Sequence, residues 1–414
     1  MSSLAPHLKP PGCEICNRKD ALYHCPRCLA VYYCGQEHEE ADQNKHTNGC
    51  AEVSRTRRNL ATEYEEIRAL PRDFALPDED DEPDAYGRLL EASFRTGVGV
   101  TWAYRQIRWY LDARLNMVDT LLLNFGYADG RLEVVESALG HLLAVLRMRR
   151  RGLVDTAELT LSLYVSLDRN QEAYDFLKYY ARWEDVATPS RNRRLIAYAD
   201  HCRGRGLPLP PFGSSPPADF VGPDDGAYEW NHSDKDLHYL QPKNADMLEE
   251  LYDLDANWDN PGRLNLSYLA SLILIKVRAL LGLQAIQRAK RALAGTLSPE
   301  LMAMIYAQLA GSVIVKYPSK MVATTEETSI DIAMVMLQVR DLYVAIEAKN
   351  PEFWESMLNS PTCVATKRYC YHAEALKLDA CNAIQRNHIA WYATPGAIDS
   401  IKRLRRVSQC APRR

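Results

Sequence analysis

The chain has 414 residues, 47% of them hydrophobic and 25% charged, with a formal net charge of −4. These values fit a globular protein with a sizeable core and exclude a disordered or collagen-like chain. So small a charge gives no overall attraction to nucleic acid or to an anionic membrane.

Residues 1–12 read as a tail without an apolar signal segment, so the expected location is intracellular, in nucleus or cytoplasm. Six of the eleven cysteines then crowd into residues 13–50, interleaved with histidine, and five are scattered after Cys50. Disulfides that staple a fold are spread through it, whereas local crowding with histidine is the pattern of metal binding. The spacing is Cys13-x2-Cys16-x8-Cys25-x2-Cys28-x5-Cys34-x3-His38-x7-His46-x3-Cys50. Each Cys-x2-Cys can form a tight knuckle. The pairs 34/38 and 46/50 are spaced i, i+4, which puts both ligands on one face of a helical turn. Eight ligands satisfy two tetrahedral Zn²⁺ ions with no position left for water, the arrangement of structural zinc. Spacing alone leaves open whether the sites are sequential or interleaved. His24 matches no ligand slot and reads as a surface residue or one that supports a neighbouring ligand.

With Val31-Tyr32-Tyr33 leading into Cys34, this pattern resembles the MYND zinc finger. The resemblance implies interleaved sites: Cys13, Cys16, Cys34 and His38 on one zinc, and Cys25, Cys28, His46 and Cys50 on the other. It also implies a module that docks partner proteins, often through proline-rich segments. Two residues depart from the family. His38 stands where most members carry cysteine. Gln43 stands where tryptophan is usual, which suggests looser packing of the last helix. Between Cys13 and Cys50 there are six acidic and four basic residues. Six thiolates on two Zn²⁺ add further negative charge, which disfavours a DNA-binding regulator acting through the finger.

Residues 51–84 read as a helix, striped by Leu60, Tyr64, Ile67 and Leu70, followed by an acidic, proline-bearing linker at 71–83. Finger and body are therefore expected to have separate cores. Residues 85–187 form the first part of an all-α body, with apolar residues at three- and four-residue intervals in Trp102–Asn124, Leu132–Arg150, Leu153–Leu167 and Gln171–Trp183. The last two, joined by Asp168-Arg169-Asn170, make a repeat-like helix hairpin. Residues 188–227, rich in Pro, Gly and Ser, read as a disordered insertion. Within it, Leu207-Pro208-Leu209-Pro210-Pro211-Phe212 is a candidate ligand for the chain's own finger. Residues 228–404 resume as helices over Asp246–Tyr252, Leu264–Leu293, Pro299–Val315, Ile330–Ala348 and Tyr369–Asn387, and 405–414 form a basic tail. The apolar run from Leu264 is cut by Lys276 and Arg278, a length suited to a buried core helix and too short to span a bilayer.

Segments such as Trp109-Tyr110-Leu111-Asp112-Ala113-Arg114, Gln171-Glu172-Ala173-Tyr174-Asp175-Phe176, Asn350-Pro351-Glu352-Phe353-Trp354 and Trp391-Tyr392-Ala393-Thr394-Pro395-Gly396-Ala397 resemble a large group of fungal MYND-finger proteins. They are packing motifs and imply kinship without chemistry. Enzymes bearing this finger include SET-domain lysine methyltransferases, whose cofactor segment precedes the finger. Here twelve residues precede Cys13, and Asn231-His232-Ser233 is followed by Asp234 where that motif has cysteine. No P-loop, dinucleotide fingerprint, His-Glu-x-x-His or Gly-x-Ser-x-Gly occurs, so no enzyme activity and no small-molecule substrate are expected. Cys363, Cys370 and Cys381, with His372 and His388, read as core filler. Lys402-Arg403-Leu404-Arg405-Arg406 reads equally as an import signal or a frayed basic end. The reading is a zinc-dependent adaptor with an all-α body.

Overall fold

The computed structural model describes residues 8–68, 105–126, 130–148, 154–187, 244–249, 251, 265–293, 297–359 and 375–410. The acidic linker, the insertion at 188–227, Asn231-His232-Ser233, Cys363, Cys370 and His372 lie outside them.

Two strands of two residues each, β1 (Tyr23–His24) and β2 (Tyr32–Tyr33), pair antiparallel inside the finger. Everything else of regular structure among the described residues is helical. The order is α1 (Gln36–Arg68), α2 (Arg105–Leu121) ending in a π-helical turn (Leu122–Gly126), α3 (Leu132–Met148), α4 (Val154–Ser166) and α5 (Asn170–Ala187). Then come α6 (Leu266–Leu293), α7 (Pro299–Leu309), α8 (Gly311–Ile314), α9 (Pro318–Val322), α10 (Thr325–Lys349), α11 (Phe353–Asn359), α12 (Ala375–Ala393) and α13 (Ala397–Cys410). An all-α body carrying a small N-terminal finger is thus the architecture.

Helix α6 is the hub, with α4, α5, α7, α8, α10, α12 and α13 packed around it. By length and composition it could cross a membrane, but 78% of its most apolar window is buried inside this fold. That is the position of a core helix. Lys276 and Arg278 cut the apolar run but not the helix, in line with the core helix expected over Leu264–Leu293, and both cations find partners in the interior. Lys276 Nζ donates to the carbonyls of Met247 (2.8 Å) and Glu249 (3.0 Å) and lies over the Tyr174 ring. Burial pulls its ammonium down to about 8, opposed by Glu249 and Asp246. Arg278 donates to Val165 O, Asn170 Oδ1 and Thr394 Oγ1, bracketing the α4–α5 turn against the end of α12. Gly282 allows the α7–α8 junction to close on α6: a Cβ there would sit 2.4 Å from the carbonyl oxygen of Ala310.

The sequence motifs of the body are packing devices. Tyr174 and Phe176 are fully buried, and Asp175 accepts from the backbone N–H groups of Asn244 and Ala245, fastening that segment to α5. Trp354 stacks on Tyr343 with ring centroids 5.0 Å apart and meets Trp391 edge-on, and each indole N–H reaches a backbone carbonyl. Buried indoles add packing area while their N–H groups stay satisfied. Helix α10 begins earlier than expected because Thr324 and Glu327 form a reciprocal capping box. The basic run near the C-terminus is helical rather than frayed, within α13, where Arg405 pairs with Glu355.

Candidate metal centre

The finger is assembled on α1, a helix of 33 residues that supplies His38, His46 and Cys50. Two knuckles face it. After each second cysteine the chain turns through a left-handed residue, Asn17 (φ 57°) and Leu29 (φ 55°). Asparagine tolerates that conformation, whereas for leucine it costs about 1–2 kcal/mol, which zinc ligation offsets. The first knuckle rests on β2 through a Cys13–Tyr32 bridge, with Glu14 N donating to Tyr32 O at 3.0 Å. In the second, Leu29 N donates to Cys25 O and Ala30 N reaches Cys28 Sγ at 3.4 Å.

The eight candidate ligands fall into two groups, each with all four ligand atoms within 4.8 Å of one another. Cys13, Cys16, Cys34 and His38 form the first, and Cys25, Cys28, His46 and Cys50 the second. This grouping interleaves along the chain and excludes the sequential arrangement that spacing left open. Zinc bonds of about 2.3 Å to sulfur and 2.0–2.1 Å to nitrogen imply tetrahedral edges of about 3.8 Å (S–S) and 3.6 Å (S–N). The first group has Cys16–Cys34 at 3.5 Å and His38 Nδ1 at 3.1 and 3.3 Å from Cys34 and Cys13. The second has Cys25–Cys50 at 3.7 Å and His46 Nε2 at 3.3 and 3.6 Å from Cys25 and Cys28. Two Cys3His clusters of this size fit two Zn²⁺ ions.

The thiols differ in environment. Burial raises the Cys13 thiol, but N–H groups of Cys16, Ile15 and Cys34 outweigh it and bring it down to about 6. Burial pushes Cys28 up to about 12, against the Ala30 N–H, with Cys25 and Cys50 adding repulsion. Burial also lowers His46, keeping its ring neutral for ligation. Metal binding at the second cluster must therefore displace protons, which makes zinc retention fall as pH falls. His24 joins neither group; its ring lies on Tyr32, 4.0 Å between centroids. Among the described residues no other group of Cys, His, Asp and Glu side chains is placed to hold a metal.

The expectation of separate cores does not hold. No breaker separates Cys50 from Ala51, so the ligand helix runs on to Arg68 and packs along α2. Val31, Tyr33, Cys25, Cys28 and Val53 share one apolar cluster with Met117 and Leu121 of α2 and Val134 of α3. The π-helical turn aims Phe125 at the finger, its ring 5.8 Å from that of His46. Gly49 permits the approach, since a Cβ there would lie 3.1 Å from the Phe125 ring. Polar ties surround the seam: Arg57 Nη2 donates to Cys28 O (3.0 Å), Tyr32 to Glu133, and Glu14 pairs with Arg131. Even the short segment before the finger is held, with Leu8 buried and Lys9 bridging to Arg131.

The tetrad Val31–Cys34 has a plain role here. Val31 and Tyr33 are buried, and the Tyr33 hydroxyl donates to Asp42 Oδ2 at 2.8 Å, tying β2 to α1. Compared with known protein families, residues 13–50 match the model of the MYND finger. Those residues are a MYND finger. The match spans the finger and none of the helical body. No curated protein and no solved structure matches the chain. MYND fingers are zinc-binding protein-interaction domains.

The finger carries a groove of about 550 Å³ between β1, the second knuckle and the first turns of α1. Tyr23, Arg27, Glu39, Glu40, Gln43 and Thr47 line it, with Cys25, His46 and Cys50 of the second cluster at its floor. Gln43 is exposed and lines this groove. Sequence reasoning missed the groove and the seam, for which Gly49 inside a helical run was the one available sign.

Proposed function

We propose that the chain is a non-catalytic docking protein of the cell interior, and that its MYND finger holds an extended segment of a partner protein in this groove. The supporting observation is the division of the finger into two sides. One is taken up by the seam with α2 and α3, and the other carries a groove that, among the described residues, the finger alone lines. Proline-rich segments dock in aromatic-lined grooves. Here the groove's aromatic lining is Tyr23, whose hydroxyl donates to Glu39 at 3.0 Å, and Glu40 lies beside it. A segment carrying Arg or Lys beside its prolines suits that lining better than an apolar one. The same carboxylates, with thiolate-rich zinc below them, weigh against a DNA-binding role. Kinship of the body with the fungal MYND-finger proteins belongs to this reading.

The zinc-loaded full chain should bind proline-containing peptides with a basic residue more tightly than peptides without one. Calorimetric titration of both peptide types, with duplex DNA as a third ligand, checks this. Glu39→Gln/Glu40→Gln should weaken the basic peptide about fivefold or more and leave the neutral one unchanged, as expected for charge-assisted contacts of about 1 kcal/mol. If neither peptide binds, the finger serves only the fold.

A further inference from the structure

The two ligand groups share their chemistry and differ in their cover. In the first, Cys16 is exposed, Cys34 and His38 are half-buried, and Cys13 alone is enclosed. In the second, Cys28 is fully buried, Cys25 and Cys50 are each 2% exposed, and His46 is 9% exposed. The body supplies part of this second cover. Cys25, Cys28 and Cys50 belong to the apolar cluster with Met117, Leu121 and Val134, and the Phe125 ring lies beside His46. No ligand of the first group belongs to that cluster.

Cover decides how readily a bound metal is lost. Four protein ligands leave a closed tetrahedron no free position. A competing ligand must therefore bring its donor atom to the metal while one protein thiolate leaves and takes up a proton. Cys16 offers that opening at the surface, 3.5 Å from its neighbour Cys34. At the second group the apolar contacts of the seam must part first.

Position decides what each loss does. Cys34 follows β2 and His38 lies in the first turn of α1, so the first site ties these two elements together. The Tyr23–Glu39 hydrogen bond at the groove spans the same pair, because Tyr23 is registered with Tyr33 and Glu39 follows His38. The Cys13–Tyr32 bridge and the Glu14–Arg131 pair hold the first knuckle in place without metal. The second site instead joins the second knuckle to α1 where that helix meets α2 and α3.

We propose that the chain carries one exchangeable zinc and one permanent zinc. The site of Cys13, Cys16, Cys34 and His38 yields its metal to small chelating ligands and slackens the rim of the groove. The site of Cys25, Cys28, His46 and Cys50 keeps its metal, and the seam stays closed. The inequality of the sites is independent of what the groove binds, whereas the effect on the groove rests on the docking reading.

The zinc-loaded full chain, mixed with excess EDTA at neutral pH and followed by native mass spectrometry, tests this. One ion should leave about tenfold or more faster than the other, a difference in barrier of about 1.4 kcal/mol. N-ethylmaleimide added after the first loss should label Cys13, Cys16 and Cys34 and spare Cys25, Cys28 and Cys50. Hydrogen exchange at that point should be unchanged along α1 from Gly49 to Ile67. Loss of both ions in a single phase would overturn the proposal, as would labelling of Cys25, Cys28 and Cys50 together with or ahead of the first three. Unchanged binding of the basic proline peptide by the one-zinc chain would overturn the link to the groove. A peptide that fails to bind even the two-zinc chain would contradict the docking reading and leave the release order to decide this one.

Discussion

Replacing Cys28 by serine is expected to release one zinc and to loosen α1, α2 and α3 together with the finger. Cys28 is fully buried, and its carbonyl holds Arg57 across the seam. Structural zinc contributes on the order of 10 kcal/mol, as much as the whole stability of an ordinary domain. Without the second zinc, His46 no longer holds α1 to the knuckle, and the cluster of Val31, Tyr33 and Val53 with Met117, Leu121 and Val134 loses one wall. Hydrogen exchange should therefore accelerate along α1 and into the π-helical turn, while α6, α10 and α12 keep their protection. Cys381→Ser, outside either cluster, should change neither metal content nor exchange. Faster exchange confined to residues 13–50 would mean that finger and body are separable after all.

Arg278→Ala should destabilise the helical body by about 3–5 kcal/mol, the usual cost of removing one partner from a buried ion pair. The guanidinium lies inside the fold, 3.3 Å from Asp168, and donates to Val165 O, Asn170 Oδ1 and Thr394 Oγ1. Burial lowers its affinity for its proton to about 10, against the pull of Asp168, so it remains charged at neutral pH. Asp168 also accepts from Ser312 at 2.6 Å and takes the left-handed conformation (φ 58°) that turns α4 into α5. Loss of the cation leaves this carboxylate buried without its counter-charge and frees three further acceptors. Asp168→Asn in the Arg278→Ala background should recover part of the loss, and a double-mutant cycle in denaturant would measure the coupling. A single-variant cost under about 1 kcal/mol would show that the bracket is dispensable.

These two effects mark what sequence could and could not disclose. The eight ligands were legible because zinc restricts both residue type and spacing, and chance rarely fills such a pattern. The hairpin of α4 and α5 and the presence of α6, α7, α10 and α12, though not all of their ends, were legible from apolar periodicity. The continuity of α1 was not, because the ligand pairs and the stripe of Leu60, Tyr64 and Ile67 suggested two helices where no breaker divides them. The seam was invisible for a deeper reason. Arg57 and Cys28, or Asn124 and Glu52, meet only through tertiary folding, and no local pattern encodes such pairs. The partners of Lys276 and Arg278 were hidden for the same reason, since distant carbonyls and a carboxylate satisfy them.

Zinc content tests the central claim most directly. The full chain, purified without chelator, should carry two zinc ions by metal analysis and by native mass spectrometry. Both should leave on acidification, as the thiols of the second cluster regain their protons. One ion per chain, or none, would contradict two interleaved Cys3His sites.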